Sequence, residues 1–289
     1  MVGRKLYAYL NINNPMVAWE VAIGRIESIC NDGNEFGVSI WHYNLLKNYL
    51  SGSRIIESRN EYELELIRML HFPEKVSRLK GVYFFESREM AECALERWRL
   101  KPLSRFITEV EFFGDNYTNV DSEWITTYLN VEEDIHSDWM KKYWSGETMG
   151  VRPLTEVLAS GVGLVHDKTF RSEAIRSVYE QWPTSSILLN ASIAGFAICH
   201  LREISRVKPS VMLKNGKMIG QYYIDMNSLN DNERMVANAM VKMFKEGSNL
   251  VNIKPDNEEH VFSLPDFRSE FFESNDEIMK HLFKNVHSL

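Results

Sequence analysis

Four groups of residues in this chain have types and spacings that bear on chemistry, and three of them are quickly bounded. Glu132, Glu133, Asp134, His136 and Asp138 crowd four carboxylates and an imidazole into one short stretch. Such oxygens suit a hard divalent cation, and a metal-dependent nuclease could be built on Glu132, Asp134 and Asp138. The same acids also suit the positive end of a helix dipole, which needs no metal. There is no HExxH, no paired cysteine motif and no EF-hand loop, so no metal ligand set is assigned. Gly161-Val162-Gly163 follows an apolar run but lacks the third glycine and the following helix of a dinucleotide loop. Cys199 and His200 are adjacent, so on a helix they point about 100° apart and cannot act as nucleophile and base.

The fourth group is a pattern spread along the chain. His71-Phe72-Pro73-Glu74-Lys75-Val76-Ser77-Arg78-Leu79 leads into the apolar run Gly81-Val82-Tyr83-Phe84-Phe85, and a helix opens at Ser87-Arg88-Glu89-Met90-Ala91. Much later come Tyr143-Trp144-Ser145-Gly146-Glu147, then Pro153-Leu154-Thr155-Glu156-Val157-Leu158 and Gly161.

This order resembles a group of bacterial and phage proteins with an ADP-ribosyltransferase-like fold, over residues 4–165. The resemblance implies an α+β domain of split, twisted sheets with helices, an NAD cleft between the sheets, and NAD as substrate. It places Tyr7 or Tyr9 on the first strand beside the nucleotide. It puts Ser77 and Arg78 at the central element and Glu156 in the role of the late carboxylate. The chain departs from the pattern in having no clear Ser-Thr-Ser triplet and no Glu-x-Glu pair.

The residue types fit that chemistry. Cleaving the bond to nicotinamide builds an oxocarbenium-like ribosyl cation, which a nearby carboxylate such as Glu156 stabilises. The planar fork of Arg78 suits a pyrophosphate. Tyr83, Phe84 or Trp144 could stack on the nicotinamide ring. Each has a plainer reading: Glu156 as a surface carboxylate opening a strand, Tyr83 and Phe84 as core, Tyr143-Trp144 as an anchor at a helix end. The expectation is therefore an NAD-dependent mono-ADP-ribosyltransferase, a glycosyltransferase acting on nucleic acid or protein. It would be of the toxin or phage-conflict kind, with an antitoxin partner expected for a toxin. The rival is a non-catalytic interaction protein on the same fold with a degenerate site.

Hydropathy patterning supplies the elements that would position these residues. Leu6 to Ile12 reads as a strand, and Val17 to Cys30 as a helix stopped by Asn31-Asp32-Gly33. Phe36 to Tyr43 reads as a β-branched and aromatic strand, and Leu45 to Ser51 as a helix. Glu61 to Leu70 is a helix with Leu64, Ile67 and Leu70 on one side and its Glu and Arg residues on the other. Val82 to Phe85 is a buried strand, and Arg88 to Leu100 a helix capped by Ser87 and ended by Pro102. Phe106 to Phe113 and Leu154 to Val165 are strands, with helices at Glu123–Leu129 and Ile135–Tyr143 between them. Helices at Arg171–Trp182 and Ile187–Val207 follow, then a hairpin from Ser210 to Ile224 about Asn215-Gly216. Helices at Asn232–Glu246 and Asp276–Val286 complete the reading. With the resemblance, which implies NAD binding by an ADP-ribosyltransferase-like domain over 1–170, it leaves a smaller C-terminal α+β region, 171–289, packed on that domain.

Length and composition bound the rest. At roughly 100–200 residues per domain, 289 residues make one large domain or two modest ones. A net charge of −7 supplies no overall field for nucleic acid, although basic residues concentrate between Lys75 and Arg105, diluted by four glutamates. Cys30, Cys93 and Cys199 are scattered and odd in number, which suggests reduced thiols and a cytoplasmic setting. The first residues have no apolar run of a signal peptide. The longest apolar stretch, Ile187 to Cys199, is too short to span a bilayer, so no membrane partner is expected.

Overall fold

The computed structural model describes residues 2–29, 37–132, 138–245 and 263–287. Cys30, Asn31 to Phe36, and Glu133, Asp134 and His136 of the acidic cluster lie outside the described residues.

β1 (Arg4–Tyr9) buries Leu6 and Ala8 on alternate positions. α1 (Pro15–Ile23) starts where the Asn14 side chain accepts from the Met16 and Val17 amides at 3.0 and 3.3 Å. Its apolar spacing continues through Ile26 and Ile29, but the helix does not. Gly24 takes φ 106° and donates its N–H to the Glu20 carbonyl at 3.0 Å, and β2 (Arg25–Glu27) follows at once. The strand expected over Phe36 to Tyr43 is likewise replaced. Ser39 accepts from the His42 amide at 3.0 Å and caps α2 (Ile40–Leu50), so cap chemistry overrides the β preference of the aromatic residues.

α3 (Ile55–His71) and β3 (Val82–Phe84) precede α4 (Arg88–Arg97), which Ser87 caps as expected by accepting from Met90 at 3.1 Å. β4 (Ile107–Asp121) runs eight residues beyond the strand read from alternation at Phe113. α5 (Glu123–Tyr128), α6 (Asp138–Ser145) and β5 (Thr155–Leu164) complete the first half. α7 (Lys168–Gln181) and α8 (Ser186–Ala197) lead to the hairpin β6 (Val207–Lys214) and β7 (Lys217–Ile224), which turns at Asn215-Gly216 as its sequence requires. α8 ends ten residues before the helix expected over Ile187–Val207, since Val207 opens β6. α9 (Asn227–Asn230), α10 (Glu233–Lys245), β8 (Phe272–Ser274) and α11 (Glu277–His287) follow.

The architecture is α+β with antiparallel sheets. The larger sheet runs β1-β4-β5-β2, and β3 pairs with β5 on the same edge as β2, end to end with it. Tyr7 and Phe85 exchange backbone hydrogen bonds at 2.9 and 2.8 Å, so β1 meets the end of β3 and the sheet curls towards closure. Gly161 sits where β5 crosses a β4 bulge between Gly114 and Asn116. It has φ 143°, and a Cβ there would lie 2.3 Å from the Phe113 carbonyl oxygen. Gly161-Val162-Gly163 is thus a close-approach device inside the sheet. The second sheet is β6-β7-β8.

One main core joins the two halves. Leu6, Trp19, Phe84 and Phe112 share it with Leu188, Val211, Met218 and Phe283, and α1 packs on α7 and α8, so packing continues across residues 170 and 171. No helix among the described residues is long and apolar enough to cross a membrane.

α11 docks on α3 and closes over a fully buried imidazole. His42 Nε2 lies 2.6 Å from the Tyr62 hydroxyl, and its ring stacks on that of His287 at 5.6 Å. Burial holds His42 well below its ordinary range, helped by His287 and Lys80. Burial also lowers His287 to about 4, and Lys80 adds to the effect against a bond to the Phe283 carbonyl. An unfolded chain takes up these protons near 6.5 while the folded chain does not, so stability is full above that pH and falls as pH drops towards about 4. Urea denaturation of His287→Phe should show a flatter loss of stability between pH 6.5 and 4 than the unsubstituted chain; equal slopes would remove His287 from the account.

Candidate functional site

The segment from Pro73 to Gly81 is folded by its own side chains. The Ser77 hydroxyl accepts from the Leu79 amide at 3.1 Å, the Ser77 carbonyl from the Gly81 amide at 2.8 Å, and Thr118 on β4 from the Val76 amide at 2.8 Å. From the far side Ser39, the cap of α2, donates to the Leu79 carbonyl at 2.8 Å. These bonds turn Arg78 inward, where it is 5 % exposed.

The Arg78 guanidinium meets side chains from four elements. Its Nε and Nη2 donate to Glu61 of α3 at 3.1 and 2.8 Å, a two-pronged bond. Its Nη1 donates to the Tyr143 hydroxyl of α6 at 2.8 Å and reaches Glu156 of β5 at 3.5 Å. Tyr83 of β3 donates its hydroxyl to the Arg78 carbonyl at 2.7 Å, and its ring lies 5.1 Å from the guanidinium carbon. Trp41 packs against Tyr83 at 6.0 Å, and both residues are partly exposed.

Glu156 reaches this point because β5 alternates. Glu156 and Leu158 face α3 and α6, while Val157 and Ala159 enter the main core. The same alternation separates Tyr83 from Phe84, which is fully buried in the main core against Phe112 at 4.8 Å. Entry to β5 is pinned by Asp121, whose carboxylate accepts from the Glu123, Met149 and Leu154 amides at 3.1, 2.7 and 2.8 Å. Trp144 is fully buried and donates its Nε1–H to the Leu64 carbonyl at 2.8 Å.

The structure therefore brings together Arg78, Tyr83 and Glu156, with Trp144 packed behind Tyr143 at 4.9 Å, while the neighbouring Ser77 hydroxyl accepts from Leu79 outside the network. Phe84, Tyr7 and Tyr9 stand apart. Tyr7 bonds Glu109 at 3.2 Å and packs with Tyr9 in the separate cluster around Phe85 and Leu95. Glu61 is the residue that periodicity misplaced. With Glu65 it lies on the buried side of α3 rather than the solvent side, because Arg78 and Arg68 meet the two carboxylates there. The signal was its spacing, three positions before Leu64 on the apolar side.

Two carboxylates share one guanidinium in a dry setting, so a full set of charges would be net negative. Burial pushes Glu156 up to about 7, against the lowering effect of Arg78, and the charge of Glu61 adds to the rise. The same burial raises Tyr143, which stays a neutral hydroxyl. Glu156 is a carboxyl that can take or release a proton near neutrality. Among the described residues no three His, Cys, Asp or Glu side chains come together as a metal site.

A family model described as "Protein of unknown function (DUF2441)" matches residues 26–169, just under half of the chain. The match takes in Glu61, Arg78, Tyr143 and Glu156, and stops at the start of α7. No curated protein and no solved structure matches.

Removing the cation from this network leaves two buried carboxylates without compensation. Arg78→Met should cost about 3–5 kcal/mol at pH 8 and distinctly less at pH 5, where Glu156 is protonated. Glu156→Gln acts oppositely. The raised carboxyl contributes stability present below about 4.5 and lost as pH rises through about 7, so the Gln variant should lack that alkaline decline. Urea titrations at pH 5 and pH 8 check both; equal Arg78→Met losses at the two values would contradict the shared-charge account.

Proposed function

We propose that the chain is an NAD-using mono-ADP-ribosyltransferase in which Glu156 is the reacting carboxylate. The supporting observation is convergence. Tyr83, Tyr143 and Glu156 come from three separate segments, each picked out by the resemblance, and meet around the guanidinium of Arg78, itself in the fourth.

In this reading the bond between ribose C1′ and the nicotinamide nitrogen breaks, and its electron pair leaves with neutral nicotinamide. A nucleophile on a protein or nucleic-acid acceptor forms the new bond to C1′ and loses its proton to water or to the Glu156 carboxylate. Ionised Glu156 stabilises the ribosyl cation, and Arg78 carries the positive charge that suits a pyrophosphate. The partly exposed pair Trp41 and Tyr83 offers an aromatic face for nicotinamide. The split-sheet fold of these transferases, a toxin or phage-conflict role and an antitoxin partner belong to the same proposal.

A second reading is favoured by how enclosed the network is. Arg78, Glu61 and Glu156 are 5, 1 and 4 % exposed, and the guanidinium already has partners for both of its ends. On this reading the network is a structural clamp, and the chain binds a partner without catalysis.

Nicotinamide release from NAD by the purified chain, with RNA, DNA or protein lysate as acceptor, separates the two. The transferase reading expects release that disappears in Glu156→Gln and climbs with pH through about 7 as the carboxyl ionises. No release with any acceptor, together with no NAD-induced change in melting temperature, leaves the clamp.

A further inference from the structure

A second polar site lies away from the Arg78 network, and nothing above uses it. Between the start of β4 and α7 runs an open cleft of about 620 Å³, the size of a small-molecule pocket. Arg88 at the start of α4, Arg105 in the helical turn Lys101–Phe106, and Arg176 on α7 all line it.

The three guanidinium groups differ in how they are held. Arg88 is fixed by a 2.8 Å bond from Nη2 to the Ile107 carbonyl, and it pairs with Glu92 at 3.4 Å, where both are about half exposed. Arg105 lies flat on the Phe106 ring, 4.6 Å from its centre. Arg105 and Arg176 are exposed, and neither forms an ion pair within 4.0 Å among the described residues. Glu173 and Glu180 on the α7 wall form none either, and the Asp167 carboxylate is occupied in capping α7, accepting from Phe170 at 3.0 Å.

Arg88 and Arg105 on one side of the cleft, and Arg176 between Glu173 and Glu180 on the α7 side, give it both cations and exposed carboxylates. Arginines suit a phosphate, and free carboxylates suit the hydroxyl groups of a sugar. A polyanionic strand would meet the same carboxylates repeatedly and a chain of net charge −7. We propose that this cleft binds a small phosphorylated sugar or mononucleotide, with Arg105 and Arg176 on the phosphate and Glu173 or Glu180 on sugar hydroxyls. The proposal does not rest on the transferase reading.

Calorimetric titration of the full chain with AMP and with ribose 5-phosphate at low salt tests it. Saturable one-to-one binding is expected, absent with adenosine or ribose, and retained in Glu156→Gln. The double variant Arg105→Ala/Arg176→Ala should bind at least about tenfold more weakly, the loss of one charged hydrogen bond or more. Its melting temperature should fall by no more than the loss of the Arg105 contact with Phe106 requires, so the variant stays folded at the titration temperature, and Arg105→Ala alone should show a smaller loss of binding. No saturable binding, equal binding by the double variant, or binding of single-stranded RNA without binding of AMP would each overturn the assignment.

Discussion

A single buried cation organises the first half of this protein. Arg78 cannot enter a dry interior without partners, since an isolated buried charge is far costlier than the packing it would gain. Glu61, Tyr143 and Glu156 meet it from α3, α6 and β5. Three elements distant in sequence are thereby held to one point. Around it Leu64, Trp124, Trp139 and Trp144 form an apolar shell that excludes water and strengthens the bonds. Hydrophobic packing brings α3 and α6 to the sheet. The guanidinium, with its fixed directions, sets the register in which they arrive.

The same device recurs where the C-terminal half meets the first. Arg25 is fully buried, pairs with Glu20 and donates to the Arg202 carbonyl at 2.6 Å. Arg206 pairs with Glu27 at 3.3 Å and donates to the Ser28 carbonyl at 3.1 Å, while Trp19 donates to the Ser205 carbonyl at 2.9 Å. These bonds stitch α1 and β2 to the segment entering β6, alongside the shared apolar core. Among the described residues these two networks and the shared main core tie the C-terminal elements to the first half.

Local chemistry was legible in the sequence and tertiary chemistry was not. Ser87 before an apolar period of four marks α4, and Asn215-Gly216 marks the hairpin, because each is decided within a few residues. The ends of α1 and α8 were misread because apolar residues continue at helical spacing through β2 and towards β6, where Gly24 or a change of sheet ends the helix. Ser39 was missed as a cap because the aromatic residues after it look like a strand. At the candidate site, Ser77, Arg78, Tyr83 and Glu156 were singled out by a resemblance in order. Their burial and the part played by Glu61 depend on contacts between residues 17 and 78 positions apart, which periodicity cannot report.

The charge count of the network bears on which reading of the site holds. A purely structural clamp is best served by one carboxylate per guanidinium, as with Glu65 and Arg68 at 2.9 Å nearby. Here a second carboxylate is added, farther from the cation at 3.5 Å against 2.8 Å, and burial holds it up to about 7. That arrangement is worse for stability at neutral pH than a glutamine in the same place would be, because the chain must either bind a proton or bury an excess charge. A carboxyl kept at such a cost, on the same face as an arginine and two tyrosines, has the proton affinity that acid–base and cation-stabilising chemistry require. Its enclosure argues the other way, since Arg78, Glu61 and Glu156 are 5, 1 and 4 % exposed and the guanidinium already bonds both carboxylates.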